Sequence, residues 1–94
     1  MKELHYDIVV RGRVQGVWFR KYAKDKADEL GIKGFVQNEL EDIVYIEAEG
    51  TEDMLNQFIE WLHVGSPLSK VSDVHFDTCI DFQRYTKFEI KKES

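Results

Sequence analysis

A single cysteine, Cys79, means that no internal disulfide can form and that a thiolate cage around a metal ion is excluded. Cys79 itself reads as a half-buried strand residue. Long apolar runs are also missing. Nothing approaches the roughly 20 residues that cross a bilayer, and Met1 to Val10 lacks the uninterrupted apolar stretch of a signal peptide. A cytoplasmic location with no membrane partner is therefore expected. Positive charge is in the minority, with 13 Lys and Arg against 18 Asp and Glu and a net charge of −5. That balance disfavours any function built on a broad phosphate-backbone footprint, so no nucleic-acid partner is expected. In one window the shortage is of carboxylates instead. From Ile8 to Lys24 there is no Asp or Glu, while Arg11, Arg13, Arg20, Lys21 and Lys24 all fall there. A solvated helix face would account for some of these cations; an anion site would account for the missing acids as well.

The 94 residues suffice for one core, so residues 1–94 are read as a single domain. Leu4, Tyr6, Ile8 and Val10 alternate with His5, Asp7, Val9 and Arg11, the period of a strand with one buried face, ending near Gly12. The period then changes. Phe19, Tyr22, Ala23, Ala27 and Leu30 fall at helical spacing, and Gly31 suits the position after a helix. Extended runs follow at Lys33 to Asn38 and Ile43 to Glu49, joined by a stretch short enough for a hairpin. Thr51 is a good N-cap for a second helix, with Glu52 and Asp53 at its positive end, an apolar stripe of Met54, Leu55, Phe58, Ile59 and Leu62, and Gly65 and Pro67 closing it. That helix is expected from about Glu52 to His63. Val71, Val74 and Phe76 indicate a fourth strand, and Phe82 to Lys91 a last one. The order βαββαβ with a C-terminal additional strand is that of an α+β, ferredoxin-like sandwich. Right-handed crossovers put both helices on one face of an antiparallel sheet.

In such a sheet the C-terminal ends of strands one and two point to the same edge, about 10 Å apart with one strand between them. The loop after Gly12 and the residue Asn38 therefore share an edge. The loop has the parts of an anion cradle. Gly16 permits positive φ, so that successive N–H groups can converge on one point. The helix that follows presents its first N–H groups and positive dipole end to the same spot. Arg20, in the first turn, adds a planar two-pronged donor suited to phosphate oxygens. A Gly-x-x-x-Gly turn is weak evidence by itself, and its spacing is neither that of a Walker loop nor of a dinucleotide fingerprint.

The whole run Gly12-Arg13-Val14-Gln15-Gly16-Val17-Trp18-Phe19-Arg20 resembles the signature of the acylphosphatase family. Gly34-Phe35-Val36-Gln37-Asn38, followed by Ala48-Glu49-Gly50, is similar to that family's second motif. Gly65 to Val71 and Phe88-Glu89-Ile90-Lys91 are similar to its later elements, so the resemblance spans the chain. It implies hydrolysis of the carboxyl-phosphate bond of a small acyl phosphate to a carboxylate and inorganic phosphate, by a monomer without cofactor or metal. Arg20 and Asn38 are then the catalytic residues, Arg20 holding phosphate and Asn38 orienting water. The N–H groups of Gln15, Gly16, Val17, Trp18, Phe19 and Arg20 form the phosphate cradle. One departure is the hairpin after Asn38, where Glu41-Asp42 stands in place of the family's usual Asp-Gly. Asp tolerates the left-handed turn, but the change is expected to add negative charge near the anion site.

The alternative is a ferredoxin-like RNA-binding or other non-catalytic module, since Lys33-Gly34-Phe35-Val36 is faintly similar to the aromatic motif of RNA-recognition domains. The strand position, the missing second aromatic and the net charge speak against it. His5, His63 and His75 lack ligand spacing and read as packed or solvated. Glu39, Glu41 and Asp42 read as a solvated hairpin. Trp18 is a candidate wall for a pocket, and Trp61 a residue of the core boundary.

Overall fold

A computed structural model describes residues 2–40, 42–79 and 82–91. The alternating run at the start forms β1 (Glu3–Arg13), which buries Tyr6, Ile8 and Val10 on one face. Helix α1 (Phe19–Leu30) turns Phe19, Ala23 and Ala27 inward at intervals of four residues, and the N–H of Gly31 closes it on the carbonyls of Ala27 and Asp28. Strands β2 (Lys33–Asn38) and β3 (Ile43–Thr51) form the expected hairpin. Helix α2 (Glu52–Val64) starts at Thr51, whose Oγ1 accepts from the Met54 N–H at 3.3 Å, with Glu52 and Asp53 in the first turn. Strands β4 (Lys70–Cys79) and β5 (Phe88–Lys91) complete the chain. Phe58 and Leu62 of α2 and Phe19 and Ala23 of α1 meet Ile8, Val36, Val44 and Ile46 of the sheet in one apolar core.

The strand order is β4-β1-β3-β2-β5. The expected antiparallel pairing holds for β4, β1, β3 and β2, whereas β5 lies parallel to β2, from Gly34 beside Phe88 to Gln37 beside Lys91. The sheet is therefore mixed. The reason is where the chain must travel. Strand β4 ends beside the start of β1, with Cys79 opposite His5, and the next segment crosses that end of the sheet to the far edge. Entering from the same end as β2, it can only run alongside it. The crossing also shortens the last strand, expected from Phe82 but formed only from Phe88. In residues 82–87 the backbone is committed elsewhere: the N–H groups of Gln83 and Tyr85 donate to the Glu49 carboxylate at 2.6 and 3.0 Å.

That carboxylate belongs to a polar cluster on the face turned away from the helices. His5, with 2% of its surface exposed, is packed and not solvated. Its Nδ1 lies 2.7 Å from Glu49 and its Nε2 2.9 Å from Asp7 and 3.4 Å from Glu47. The hydroxyls of Tyr45 and Tyr85 donate to Glu47 at 2.9 and 2.6 Å. Burial alone would push the His5 pKa down, but the hydrogen bonds to Glu49 and Asp7 outweigh it, and the net shift is upward. For Glu49, burial would raise the pKa, and the hydrogen bonds from His5, Tyr85 and Gln83 overcome it, so the net shift is downward.

These directions define a pH window for stability. A raised histidine contributes fully below its ordinary value of 6.5 and loses the contribution as pH rises through the folded-state value. A depressed carboxylate contributes above its ordinary value of 4.5 and loses it as pH falls through the folded-state value. Both contributions are complete between 4.5 and 6.5. Thermal unfolding of the wild type and His5→Gln, scanned from about pH 3 to about pH 9, should show the widest gap in Tm inside that window, narrowing on both sides. A gap that does not vary with pH would show that the cluster contributes no proton-linked stability.

Candidate active site

At its C-terminal end β1 carries a bulge between Arg11 and Gly12, where the pairing with β4 shifts register. Gly12 sits at φ 129°, and a Cβ there would collide with the Lys70 carbonyl oxygen, so only glycine lets β4 come this close. Its N–H donates to the Asp42 carbonyl at 3.1 Å, tying the β2–β3 hairpin to the end of β1. The chain then turns into the loop before α1. Here φ is positive at Gly16 (72°) and again at Trp18 (63°), with Val17 between them negative. Alternation of this kind turns successive N–H groups towards one side. Glycine takes that conformation without penalty, but for Trp18 it costs on the order of 1–3 kcal/mol.

Helix α1 begins immediately after Trp18, which makes no side-chain cap bond, and no acidic residue occupies the first turn. Helix α2 of the same chain has both a cap and two acids. The positive end of α1 thus faces the loop with its first N–H groups unscreened by any side-chain acceptor. Arg20 lies in that turn, and its Nη1 donates to the Lys91 carbonyl at 3.1 Å, which fixes it against the end of β5. Three of the five cations singled out in the sequence find carboxylates: Arg11 with Asp73 at 3.8 Å, Lys21 with Asp25 at 2.9 Å and Lys24 with Asp28 at 2.6 Å. Among the described residues Arg13 and Arg20 are in no ion pair. Arg13 lines a different cleft, with Arg11 and Asp42, and so does not join this site.

Arg20 and Asn38 meet in a cleft of about 440 Å³. Asn38, the last residue of β2, is only 5% exposed. Gly16, Trp18 and Phe19 also line the cleft, as do Val14, Lys21 and Ile90, which the sequence reading did not assign to it. Two of the expected cradle residues lie outside the lining. The Gln15 side chain turns to the hairpin, where Nε2 donates to the carbonyls of Leu40 at 2.6 Å and Ile43 at 2.7 Å. Val17 packs against the core, and its carbonyl accepts from Ser66 Oγ at 2.9 Å. The motif spacing could reveal the residue types but not that Gln15 reaches across 25 positions of sequence. Ile90 had no local signal, because only the pairing of β5 with β2 brings it here.

Asp42 adopts the left-handed conformation at φ 65°, as its side chain allows, but it lines the neighbouring cleft with Arg11 and Arg13 and not this one. Glu41 lies outside the described residues. The other aromatic candidate is also accounted for. Phe35 is 6% exposed, set against the rings of Tyr45 and Tyr85 and under the Lys91 ammonium at 3.9 Å, which leaves no face for a nucleic-acid base. Among the described residues one group brings three metal-ligating side chains together, His5, Asp7 and Glu47, with ligand atoms within 4.8 Å of one another. It lies towards the other end of β1, and both nitrogens of His5 already face carboxylates.

Residues 6–90 match the family model described as Acylphosphatase. The chain is 42% identical to an acylphosphatase from Bacillus licheniformis, over 93% of this chain and 97% of that one. It is 36% identical to human acylphosphatase-2, over 97% and 93%. The crystal structure of acylphosphatase from Bacillus subtilis superposes with a TM-score of 0.91 at 40% identity, covering 94% of this chain and 98% of that one.

The two bonds from Gln15 make a stability prediction. Each net hydrogen bond contributes about 1 kcal/mol, and water can partly replace these at the exposed hairpin. Gln15→Ala should therefore lower Tm by about 4–8 °C, the shift that corresponds to about 1 kcal/mol in a domain of this size. Gln15→Glu, which keeps the shape but loses the donor, should fall at least as far. An unchanged Tm in both variants by calorimetry would remove Gln15 from the scaffold.

Proposed function

The chain belongs to the acylphosphatase family and is a hydrolase of acyl phosphates, and from that premise we propose how the cleft performs the reaction. The phosphoryl group sits on Arg20 and on N–H groups of the loop from Gln15 to Arg20, and Asn38 holds the attacking water. The observation that carries this reading is the company Arg20 keeps. It is a guanidinium without a carboxylate partner among the described residues, beside a helix start with neither cap nor acid, in one cleft with Asn38. An anion with three acceptor oxygens fits all of these donors at once.

The water oxygen attacks phosphorus in line with the acyl oxygen. As the new P–O bond forms, the bond from phosphorus to the acyl oxygen breaks and its electrons leave on the carboxylate. A carboxylate is a good leaving group and needs no strong general acid. Transfer through a loose transition state asks mainly for positioning and for donors on the equatorial oxygens, which Arg20 and the N–H groups supply. The amide of Asn38 is neutral at pH 7 and cannot take the proton of water, so the proton passes to a phosphate oxygen. Its role is to orient, and burial keeps its rotamer from wandering. No step requires a metal or a histidine. The proposed substrate is a small molecule, and the residues assigned to the reaction all lie within this one chain's fold. Among the described residues no helix is long and apolar enough to cross a membrane.

Benzoyl phosphate hydrolysis, with and without EDTA, tests the scheme. Arg20→Ala should lower kcat/KM by at least a hundred- to a thousandfold and weaken inhibition by inorganic phosphate, since it removes both binding and charge stabilisation. Asn38→Ala should lower kcat by roughly the same factor with KM little changed. Near-normal turnover in Arg20→Ala, or loss of activity on chelation, would overturn the assignment.

A further inference from the structure

Trp18 stands out among the residues of the cleft. Its side chain is 69% exposed, it joins no ring contact among the described residues, and it does not pack against the core. It also holds a left-handed backbone conformation in which a tryptophan is strained. Neither packing nor backbone preference accounts for so large an apolar ring at this position. Trp18 does line the cleft that holds Arg20 and Asn38.

Opposite in sequence, and brought alongside by β5, is Ile90, also 42% exposed. The hydrogen bond from Arg20 to the carbonyl of Lys91 at 3.1 Å sets the guanidinium next to it. The buried side chains of Phe19 and Val14 add apolar surface to the lining of the same cleft. The charged groups of the lining are Arg20, which the phosphoryl group occupies, and Lys21, which Asp25 neutralises at 2.9 Å. A second anionic group on the substrate would find no partner here, whereas a flat apolar one would find apolar surface.

We infer that Trp18 and Ile90 form the acyl-group subsite and that they select acyl phosphates with an apolar, preferentially aromatic acyl group. This inference rests on the reading of the cleft as the phosphoryl-transfer site. The phosphoryl group is held at the helix start, and the acyl group extends outward between the indole and the isoleucine. The indole face supplies a stacking surface that an acetyl group is too small to use.

The test compares benzoyl phosphate with acetyl phosphate. The ratio of their kcat/KM values cancels any effect on the cradle that both substrates share. The wild type should favour benzoyl phosphate. Trp18→Ala should lower the ratio about three- to tenfold, the size of one aromatic pair, chiefly through KM for benzoyl phosphate. Trp18→Phe should restore most of it, and Ile90→Ala should move it in the same direction as Trp18→Ala. Calorimetric binding of benzoylphosphonate and acetylphosphonate, which cannot be hydrolysed, reads the same ratio without turnover. A ratio unchanged in both Trp18→Ala and Ile90→Ala, or a wild-type preference for the acetyl compounds, would overturn the inference. Absence of turnover with an intact Trp18-dependent phosphonate ratio would instead overturn the hydrolytic reading and leave the subsite standing.

Discussion

Because the crossover through α1 brings the chain back in the direction it came, β1 and β2 end at the same edge of the sheet with β3 between them. Every feature of the cleft depends on that geometry. The loop leaving β1 and the last residue of β2 are separated by two strand spacings, about 10 Å. The loop must fold inward to meet Asn38, and the structure shows what holds it there. The N–H of Gly12 reaches the hairpin carbonyl of Asp42, and Gln15 reaches two more hairpin carbonyls. The residues of the motif thus fall into two sets: Gly16, Trp18, Phe19 and Arg20 line the cleft, and Gly12 and Gln15 fasten the loop to the neighbouring turn. Gln15 carries a side chain long enough for the second task, while Gly16 leaves the space beside it open.

Electrostatics at the cleft follow from what has been left out. A helix start ordinarily carries a cap and an acid or two, and α2 has both. At α1 a cap side chain would spend the N–H groups on an internal acceptor, and an acid would cancel Arg20. Omitting them costs helix stability of roughly 1 kcal/mol for the cap alone. The cations that flank Arg20 are held by carboxylates on the next turn of the helix, and those exposed pairs add little to stability. They leave Arg20 as the cation in the first turn of α1 that no carboxylate among the described residues pairs.

Much of this could be read from the sequence, for reasons that also explain the rest. Helix α1 and strand β2 have the bounds that periodicity indicates, because their burial patterns are local properties of a few turns or pleats. That Arg20 and Asn38 reach one cleft was legible because their motifs sit at element ends, where chain direction alone decides which edge they reach. Long-range pairing was not legible. The run from Phe82 to Lys91 looks like one strand, yet its first residues serve a carboxylate on β3, and its last ones join β2 in parallel. Gln15 could not be assigned to the hairpin, nor Ile90 to the cleft, without that arrangement. His5 alternates with core residues and so belongs to the outer face. Its burial comes from the crossing segment that covers it, which has no signature near His5.

The same crossing segment accounts for how the fold tolerates its functional strain. A left-handed tryptophan and an uncapped helix start are both unfavourable locally, and they lie at one end of β1. Towards the other end, His5, Glu49, Glu47 and two tyrosines knit β1, β3 and the segment leading to β5 into one hydrogen-bonded network. Buried networks of this kind stabilise only when their members are satisfied, and here each carboxylate has donors from different parts of the chain. The network also anchors the approach to β5, whose far end supplies Ile90 and the carbonyl that orients Arg20. The network at one end of the sheet is thereby connected to the cleft at the other along a paired strand. The cleft can keep its donors exposed because its supports are fastened outside it.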